Sequence, residues 1–429
     1  MSEEKFQVIV VGAGLAGSAA AYRLAKAGHE VMLVERGKDA GAKNVTGGRL
    51  YSYALEALMP GEWQDQAPLE REVRRESIVM LTADSSVAID SLLLGLPPRM
   101  SYTVVRAKLD EWLAGKAEEA GAMYTPGFCV DELLVRDGKV CGVKVGEEEF
   151  ESDLVICADG VNSLLAERAG LAKPIVAENI AVGVKEVLAL PEATINDRFN
   201  VESGQGAAIL LIGQCTRGLS GGGFIYTNQS SVSLGLVVDA AALKASRHNI
   251  ADMIEDFRLH PAIAPLVNDG KLLEYSAHLI PEGGLTAMPR LYAAGVMFAG
   301  DAAGMVVNSG ITVRGMDYAI MSGIAAADTA IKALAANDFS ADALKEYETL
   351  LRRNVLRDME TFRHAHAFMA NTPALFTTYP EAAAAVLQKL FTVSGEPARR
   401  AVPTVKDVFL DRVSLWQLVK DGMKGWKSI

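Results

Sequence analysis

Three glycines at a spacing of two and three, Gly12-x-Gly14-x-x-Gly17, separate a short valine-rich run from a stretch of helix formers, and Glu35 closes the next apolar run. The chemistry this pattern offers is the capture of an anion. Gly12 permits a tight turn, Gly14 lets the backbone approach a pyrophosphate, and Gly17 lets helix and strand pack closely. The helix start then presents free N–H groups and a partial positive charge to phosphates. Glu35 stands where an acid accepts hydrogen bonds from an adenosine ribose. Two more carboxylates close apolar runs, Asp159-Gly160 after "LVICA" and Gly300-Asp301 in "FAGDAAG". An isolated Asp-Gly is ordinarily a turn. Three such features from Gly12 to Asp301 point instead to one extended dinucleotide, FAD, whose ribityl hydroxyls a strand-end carboxylate suits.

These residues need a frame. Phe6–Val11 is too short for a buried helix and reads as a central parallel strand, Ser18–Ala27 as the helix after it, and Val31–Val34 as the next strand. The expected FAD-binding domain is discontinuous, over 1–75, 101–175 and 291–335. Within it, Leu133–Glu151 holds a hairpin turning at Asp137-Gly138. Segments 76–100 and 176–290 are expected to form a second domain. There, runs of Val, Ile and Leu broken by Gly, Asn and Ser predict an antiparallel sheet. Gly221–Gly223 is read either as one wall of a flat-ligand pocket or as a plain loop. Residues 336–429 read as helical. His364 and His366 stand two apart on divergent helix faces, a poor joint metal site.

The fingerprints "GAGLAG…VERG", "ADGVNS" and "AGDAAG" resemble the FAD-binding marks of the geranylgeranyl reductase and aromatic hydroxylase superfamily. Longer segments, "AGAKNVTGGRLYSYALEALMP", "GGGFIYT", "SLGLVV", "EYSAHLIPEGG" and "VRGMDYAI", are similar to electron transfer flavoprotein:quinone oxidoreductases of the FixC type, over nearly the whole chain. The resemblance implies an α/β fold. Its parts are a Rossmann-like FAD-binding domain of the glutathione reductase type, an inserted antiparallel β-sheet substrate domain and a C-terminal helical region. It implies FAD held by Gly12, Ala13, Gly14, Ala16, Gly17, Glu35 and Arg36, with Lys43, Asn44, Val45, Thr46, Gly47 and Gly48 beside the isoalloxazine ring. Arg106, at the opening of the family's second helix, is implied to reach the cofactor; read from its own surroundings it is equally a surface residue of a helix start. Asp159, Gly160, Gly300, Asp301, Ala302 and Gly304 complete the implied site. Larger members carry a C-terminal iron–sulfur segment with clustered cysteines, whereas residues 403–429 contain no cysteine. FixC-type members use a separate small ferredoxin-like iron–sulfur protein, and that partner is expected here beside the alpha and beta subunits of electron transfer flavoprotein and a quinone.

Composition bounds the rest. The chain has 429 residues, half of them apolar, and a net charge of −11, which argues against broad nucleic-acid binding. Cys129, Cys141, Cys157 and Cys215 are scattered with no C-x-x-C pair. Four reduced, mostly buried thiols of a cytoplasmic protein are therefore expected, with no disulfide framework or metal site. Met1–Phe6 is charged and runs straight into a strand, unlike a signal peptide. The apolar window Leu291–Val313 holds Asp301 and four glycines, and is read as a strand–turn–helix crossing a core. In the tail, Trp416, Val419, Met423 and Trp426 fall on one helical stripe flanked by Lys420, Lys424 and Lys427. Two readings stay open: docking on the inner face of the cell membrane or a partner, or packing on the protein's own core.

The expected reaction is re-oxidation of reduced electron transfer flavoprotein with quinone as acceptor. No acid–base dyad is needed and no catalytic residue is assigned; Asp301 is a ligand anchor. Two alternatives are an NAD(P)H-dependent flavin reductase or hydroxylase of the prenyl-reductase kind, and an electron-relay subunit that acts only within a membrane-associated complex.

Overall fold

Apolar runs of three to six residues become the parallel strands of one sheet, and the chain leaves that sheet twice to build another. The computed structural model describes residues 5–42, 47–95, 97, 99–395, 397, 400–426 and 428. Phe6–Val11 (β1) leads through the helix Leu15–Lys26 to Val31–Glu35 (β2), parallel to β1. The first departure adds Gly47–Tyr51 (β3), Leu69–Leu81 (β4), Ser86–Leu92 (β5) and Ser101–Val105 (β6). The helix Arg106–Glu119 returns the chain to Met123–Pro126 (β7), parallel to β2. The hairpin Glu132–Arg136 (β8) and Lys139–Val145 (β9) follows, turning through Asp137 at φ 51° and Gly138 at φ 75°. Two left-handed residues give the turn a hand that matches strand twist. Glu148–Cys157 (β10) pairs with β9 in its first half and runs parallel to β1 in its second.

The second departure adds Ile180–Ala189 (β11), Gln205–Gly213 (β12), Gly221–Thr227 (β13), Ser231–Asp239 (β14) and Lys271–Pro281 (β15). The last return is Tyr292–Ala293 (β16) and Val296–Phe298 (β17), the latter parallel to β10. The first sheet therefore has the order β16-β17-β10-β1-β2-β7, and the second β15-β11-β14-β13-β12-β4-β6-β3, with β5 beside β4. Pairing in the second sheet is antiparallel except between β4 and β12, which run parallel. The position 75/76 falls inside β4, and β3 and β6 hydrogen-bond into the second sheet.

The first sheet is the core of one half. Val8, Ile9, Val10, Leu33 and Leu154–Cys157 are fully buried, as expected of strands covered on both faces. Helix Leu15–Lys26 packs on helix Met316–Ala336, where a Cβ on Gly323 would lie 2.2 Å from the Ala16 carbonyl oxygen. Small residues there let the two helices, and so the ligand-facing start of each, approach closely. Val140 and Val143 of the β-hairpin join the same core. In the second half a cation is sealed inside. Arg71, 1% exposed, donates to the carbonyls of Asn228, Gln205 and Gln229 and to Asn196 Oδ1, at 2.6–3.2 Å.

One expectation changes in the last third. Leu291–Val313 contains strands and a single 3-10 turn, Gly300–Ala303; the long helix starts later, at Met316. Residues 341–370 form four short helices. The tail helix Leu415–Trp426 lays Gly425 against Phe368, 3.2 Å from where a Cβ would stand, and Asp421 accepts from Tyr379 Oη at 2.8 Å. Its stripe faces outward, with Trp416 68% and Trp426 90% exposed, so burial of that stripe on the protein's own core is ruled out. Lys427 lies outside the described residues. Among those residues Met316–Ala336 is the one helix long and apolar enough to cross a membrane, and 56% of its most apolar window is buried inside the protein.

Candidate functional site

Backbone closeness assembles the site. Gly12, at φ 99°, has no room for a side chain, since a Cβ would stand 2.4 Å from the Ala158 carbonyl oxygen. A Cβ on Gly17 would stand 1.8 Å from the Gly12 carbonyl oxygen. Gly14 differs: a Cβ there meets nothing within 4 Å, because its face opens into a cavity. Gly14 precedes the helix Leu15–Lys26 without a side-chain cap, which leaves that helix start to a ligand. Glu35 braces the turn. Its carboxylate accepts from the Ala13 amide at 3.0 Å and the Gly37 amide at 2.6 Å, and it borders the cavity.

The same closeness brings in the two later strand ends. Gly12 against Ala158 places Asp159 beside the elbow, and Gly300, at φ 65°, lies against Ala16 with 2.9 Å between a built Cβ and the Ala16 Cβ. Asp301 and Gly14 both line the cavity. Asp159 Oδ1 is buried and lacks a hydrogen-bond partner, as a carboxylate awaiting a ligand hydroxyl would. Burial pushes Asp159 up to about 6 and also raises Asp301, against the pull of Arg106. Arg106 opens its helix and holds the fully buried Asp110 through Nε and Nη2. Burial works against this cation, but Asp110 and then Asp301 more than offset it, so its pKa lies above the ordinary value. Arg36, Arg106, Gly48, Gly160 and Gly300 all border the cavity; Ala302 is buried behind Asp301 and Gly304 follows at φ 70°. Gly47 begins β3, whereas Lys43, Asn44, Val45 and Thr46 lie outside the described residues.

The cavity, about 500 Å³, is completed by the second sheet. Lys185 of β11 and His278 of β15 face it from there, and sequence reasoning missed both. Burial, reinforced by Arg106, brings Lys185 down to about 7. Burial, then Lys185, Arg106 and Arg36, bring His278 down to about 4. Arg36 and Arg106 thus face this space as cations, Lys185 titrates there near neutrality and His278 stays uncharged, an arrangement that suits an anion. A lysine within the apolar run "AVGVKEVLAL" was the signal for Lys185. Gly221–Gly223 also border this space; a Cβ on Gly221 would stand 2.1 Å from the Val237 carbonyl oxygen, so these glycines serve close strand packing too.

The same lining holds an apolar set, called the apolar arm below: Leu210, Ile212, Val306, Val313, Met369 and Phe376, and Glu282 also lines the cavity. His366 is 3.3 Å from Glu282, so it packs at this arm, whereas His364 contacts Arg363. Of the thiols, Cys157 and Cys215 are buried, Cys141 is half-buried, and Cys129 is exposed at the cavity border. β10 and the turn after β12 carry the two inner ones, and the loop after β7 carries Cys129, so half rather than most of the thiols are fully buried.

Comparison with known proteins agrees in fold and in sequence. Residues 365–429 match the ETF-QO/FixC family C-terminal domain, and residues 7–90 match the FAD dependent oxidoreductase family. Protein FixC of Salmonella typhi is 48% identical over 429 residues, 99% of each chain. The probable electron transfer flavoprotein-quinone oxidoreductase YdiS of Escherichia coli (strain K12) is 48% identical over 430 residues, again 99% of each. In structure the chain is similar to a geranylgeranyl bacteriochlorophyll reductase-like protein from Thermoplasma acidophilum, with a TM-score of 0.72, 21% identity, and 98% of this chain and 99% of that one covered.

Proposed function

Because this chain belongs to the ETF-QO/FixC family and is an FAD-dependent oxidoreductase, we propose that it takes electrons from reduced electron transfer flavoprotein and passes them to a quinone. Bound FAD supplies the chemistry that links one-electron and two-electron partners. The chain's own residues do the holding. On this reading the free helix start at Gly14 and the cations Arg36, Arg106 and Lys185 bind the diphosphate, Glu35 the ribose, and Asp159 and Asp301 the ribityl hydroxyls. Gly48 and Met316, which line the same cavity, would lie near the ring, and the apolar arm would receive the quinone head.

The observation that supports this most is the mixed lining of one continuous cavity: cations and strand-end carboxylates together with aliphatic and aromatic side chains. A polar dinucleotide and an apolar acceptor each find the surroundings they need. A separate small ferredoxin-like protein fits as iron–sulfur partner, because the four cysteines are too scattered to hold a cluster. The tail helix fits the inner membrane face. Its exposed Trp416, Val419, Met423 and Trp426 form an apolar stripe, and Lys420 lies over the Trp416 ring at 5.9 Å, where it can reach headgroups.

The test is spectroscopic. Full-length protein carrying FAD should bleach on mixing with reduced electron transfer flavoprotein under anaerobic conditions, and regain its colour with a short-tailed quinone. NADPH alone should leave the flavin oxidised. Bleaching by NADPH with no response to the flavoprotein would overturn the reading in favour of a prenyl-reductase-like enzyme.

A further inference from the structure

Electrons alone do not make a quinol: quinone + 2 e⁻ + 2 H⁺ → quinol, and the protons must reach a pocket walled by Leu210, Ile212, Val306, Met369 and Phe376. Glu282, just after β15, lines the same cavity, and its side chain is 12% exposed. Its Oε2 is 3.3 Å from His366 Nδ1, and its Oε1 accepts from Asn308 Nδ2 at 3.5 Å. His366 belongs to the short helix Ala365–Ala370, which also carries Met369 into the cavity wall, and its ring is 29% exposed, so it bridges pocket and solvent.

We propose that His366 and Glu282 form a proton relay that serves quinone reduction in the apolar arm. The inference rests on the quinone reading above. The imidazole takes a proton from solvent and hands it from Nδ1 to Glu282 Oε2. Glu282 releases it into the cavity to a reduced quinone oxygen and is recharged by His366, so two passes deliver two protons for the two electrons. The groups facing the pair are the Asp239 carboxylate and the Glu178 backbone on the His366 side, and the Asn308 amide on the Glu282 side. The hydrogen bond to Glu282 raises His366 above its ordinary value, against burial, which keeps more of it protonated near neutrality. Glu282 would be the group that touches the acceptor, with His366 acting through it.

The experiment compares an acceptor that needs protons with one that does not. Full-length, FAD-loaded protein is reduced anaerobically with one equivalent of dithionite. It is then mixed by stopped flow with either a short-tailed benzoquinone or ferricenium, which accepts one electron and no proton. Glu282→Gln is expected to slow re-oxidation by the quinone at least about tenfold, within the range of general-acid effects, and to leave the ferricenium rate within about twofold. Glu282→Asp should restore most of the quinone rate. His366→Gln should slow the quinone step by less and remove the step in its pH profile. FAD absorbance per chain reports whether each variant is intact. An unchanged quinone rate in Glu282→Gln overturns the relay, as does equal slowing with both acceptors. Wild-type protein that ferricenium re-oxidises and quinone does not would overturn the quinone reading itself, and the relay with it.

Discussion

Arg106 Nε and Nη2 each lie 2.9 Å from one oxygen of Asp110, one helical turn further along. Asp110 is fully buried while the Arg106 side chain is 21% exposed, so the carboxylate fixes a guanidinium that faces the cavity. Removing one partner of such a pair costs about 3–5 kcal/mol where both are buried, and less here because the arginine is partly wet. Asp110→Asn is therefore expected to lower thermal stability and to weaken FAD binding by about tenfold or more, since each factor of ten corresponds to about 1.4 kcal/mol. Fluorescence titration of the FAD-free protein measures the second effect. Unchanged affinity would show that Arg106 does not address the cofactor.

Gly14 and Gly17 separate folding from binding. A methyl group on Gly17 would collide with the Gly12 carbonyl, whereas one on Gly14 meets no protein atom within 4 Å, and the backbone of Gly14 at φ −74° accepts alanine. Gly17→Ala should give little soluble protein. Gly14→Ala should fold with a near-normal melting temperature yet emerge pale, its FAD affinity reduced by the methyl group that holds the diphosphate away. Gly14→Ala protein with full colour would remove the elbow from the binding site.

Asp159 gives a pH signature. Burial raises it to about 6 in the folded, FAD-free protein, against 3.8 for the free side chain. The folded state then holds the proton more tightly than the unfolded chain. Between roughly pH 4 and pH 6 its ionisation costs stability as pH rises, and the cost is complete above about pH 6. Asp159→Asn removes it. The stability difference between variant and wild type, from urea denaturation without FAD, should be small at pH 4, grow in the variant's favour to pH 6 and then level off. A flat difference across that range would mean Asp159 ionises normally.

The tail helix predicts a lipid effect that spares the chemistry. Trp416→Ser with Trp426→Ser, or truncation after Val413, should abolish flotation with vesicles containing anionic lipid. In the double serine variant, re-oxidation of the flavin by a water-soluble quinone should stay within about twofold, because the outward stripe lies apart from the cavity lining. Undiminished flotation of the truncated protein would remove the membrane role.

What could be read from the chain alone was local. Gly12, Gly14 and Gly17 act within one strand–turn–helix, so their spacing carries their meaning, and the α/β class with a FAD-dependent oxidoreductase fold follows from such units. His278 of β15 and Glu282 just after it left no signal, because they reach the cavity from far along the sequence and no periodicity marks them; Lys185 left only its charge inside an apolar run. Arg71 in "LEREVRRES" looks like a surface charge; only the convergence of carbonyls from 205, 228 and 229 makes it an interior one. The parallel pairing of β4 with β12 was equally hidden, since strands joined by long excursions leave no turn signal. The helices of 341–370 bury Leu344, Tyr347, Leu351, Val355 and Met359 in the core of the first half, and which residues of a helical run turn inward was not legible from its charges.

Strand β17 has a consequence for how the enzyme is made. It slots beside β10 only after residues 158–295 have gone off to build the other layer, and it brings Gly300 down onto Ala16. On the ribosome, the first portion of the pocket is synthesised long before its opposite wall exists. Capture of the flavin is therefore expected to be a late event of biosynthesis, and chains that end before β17 should stay colourless however much FAD is supplied.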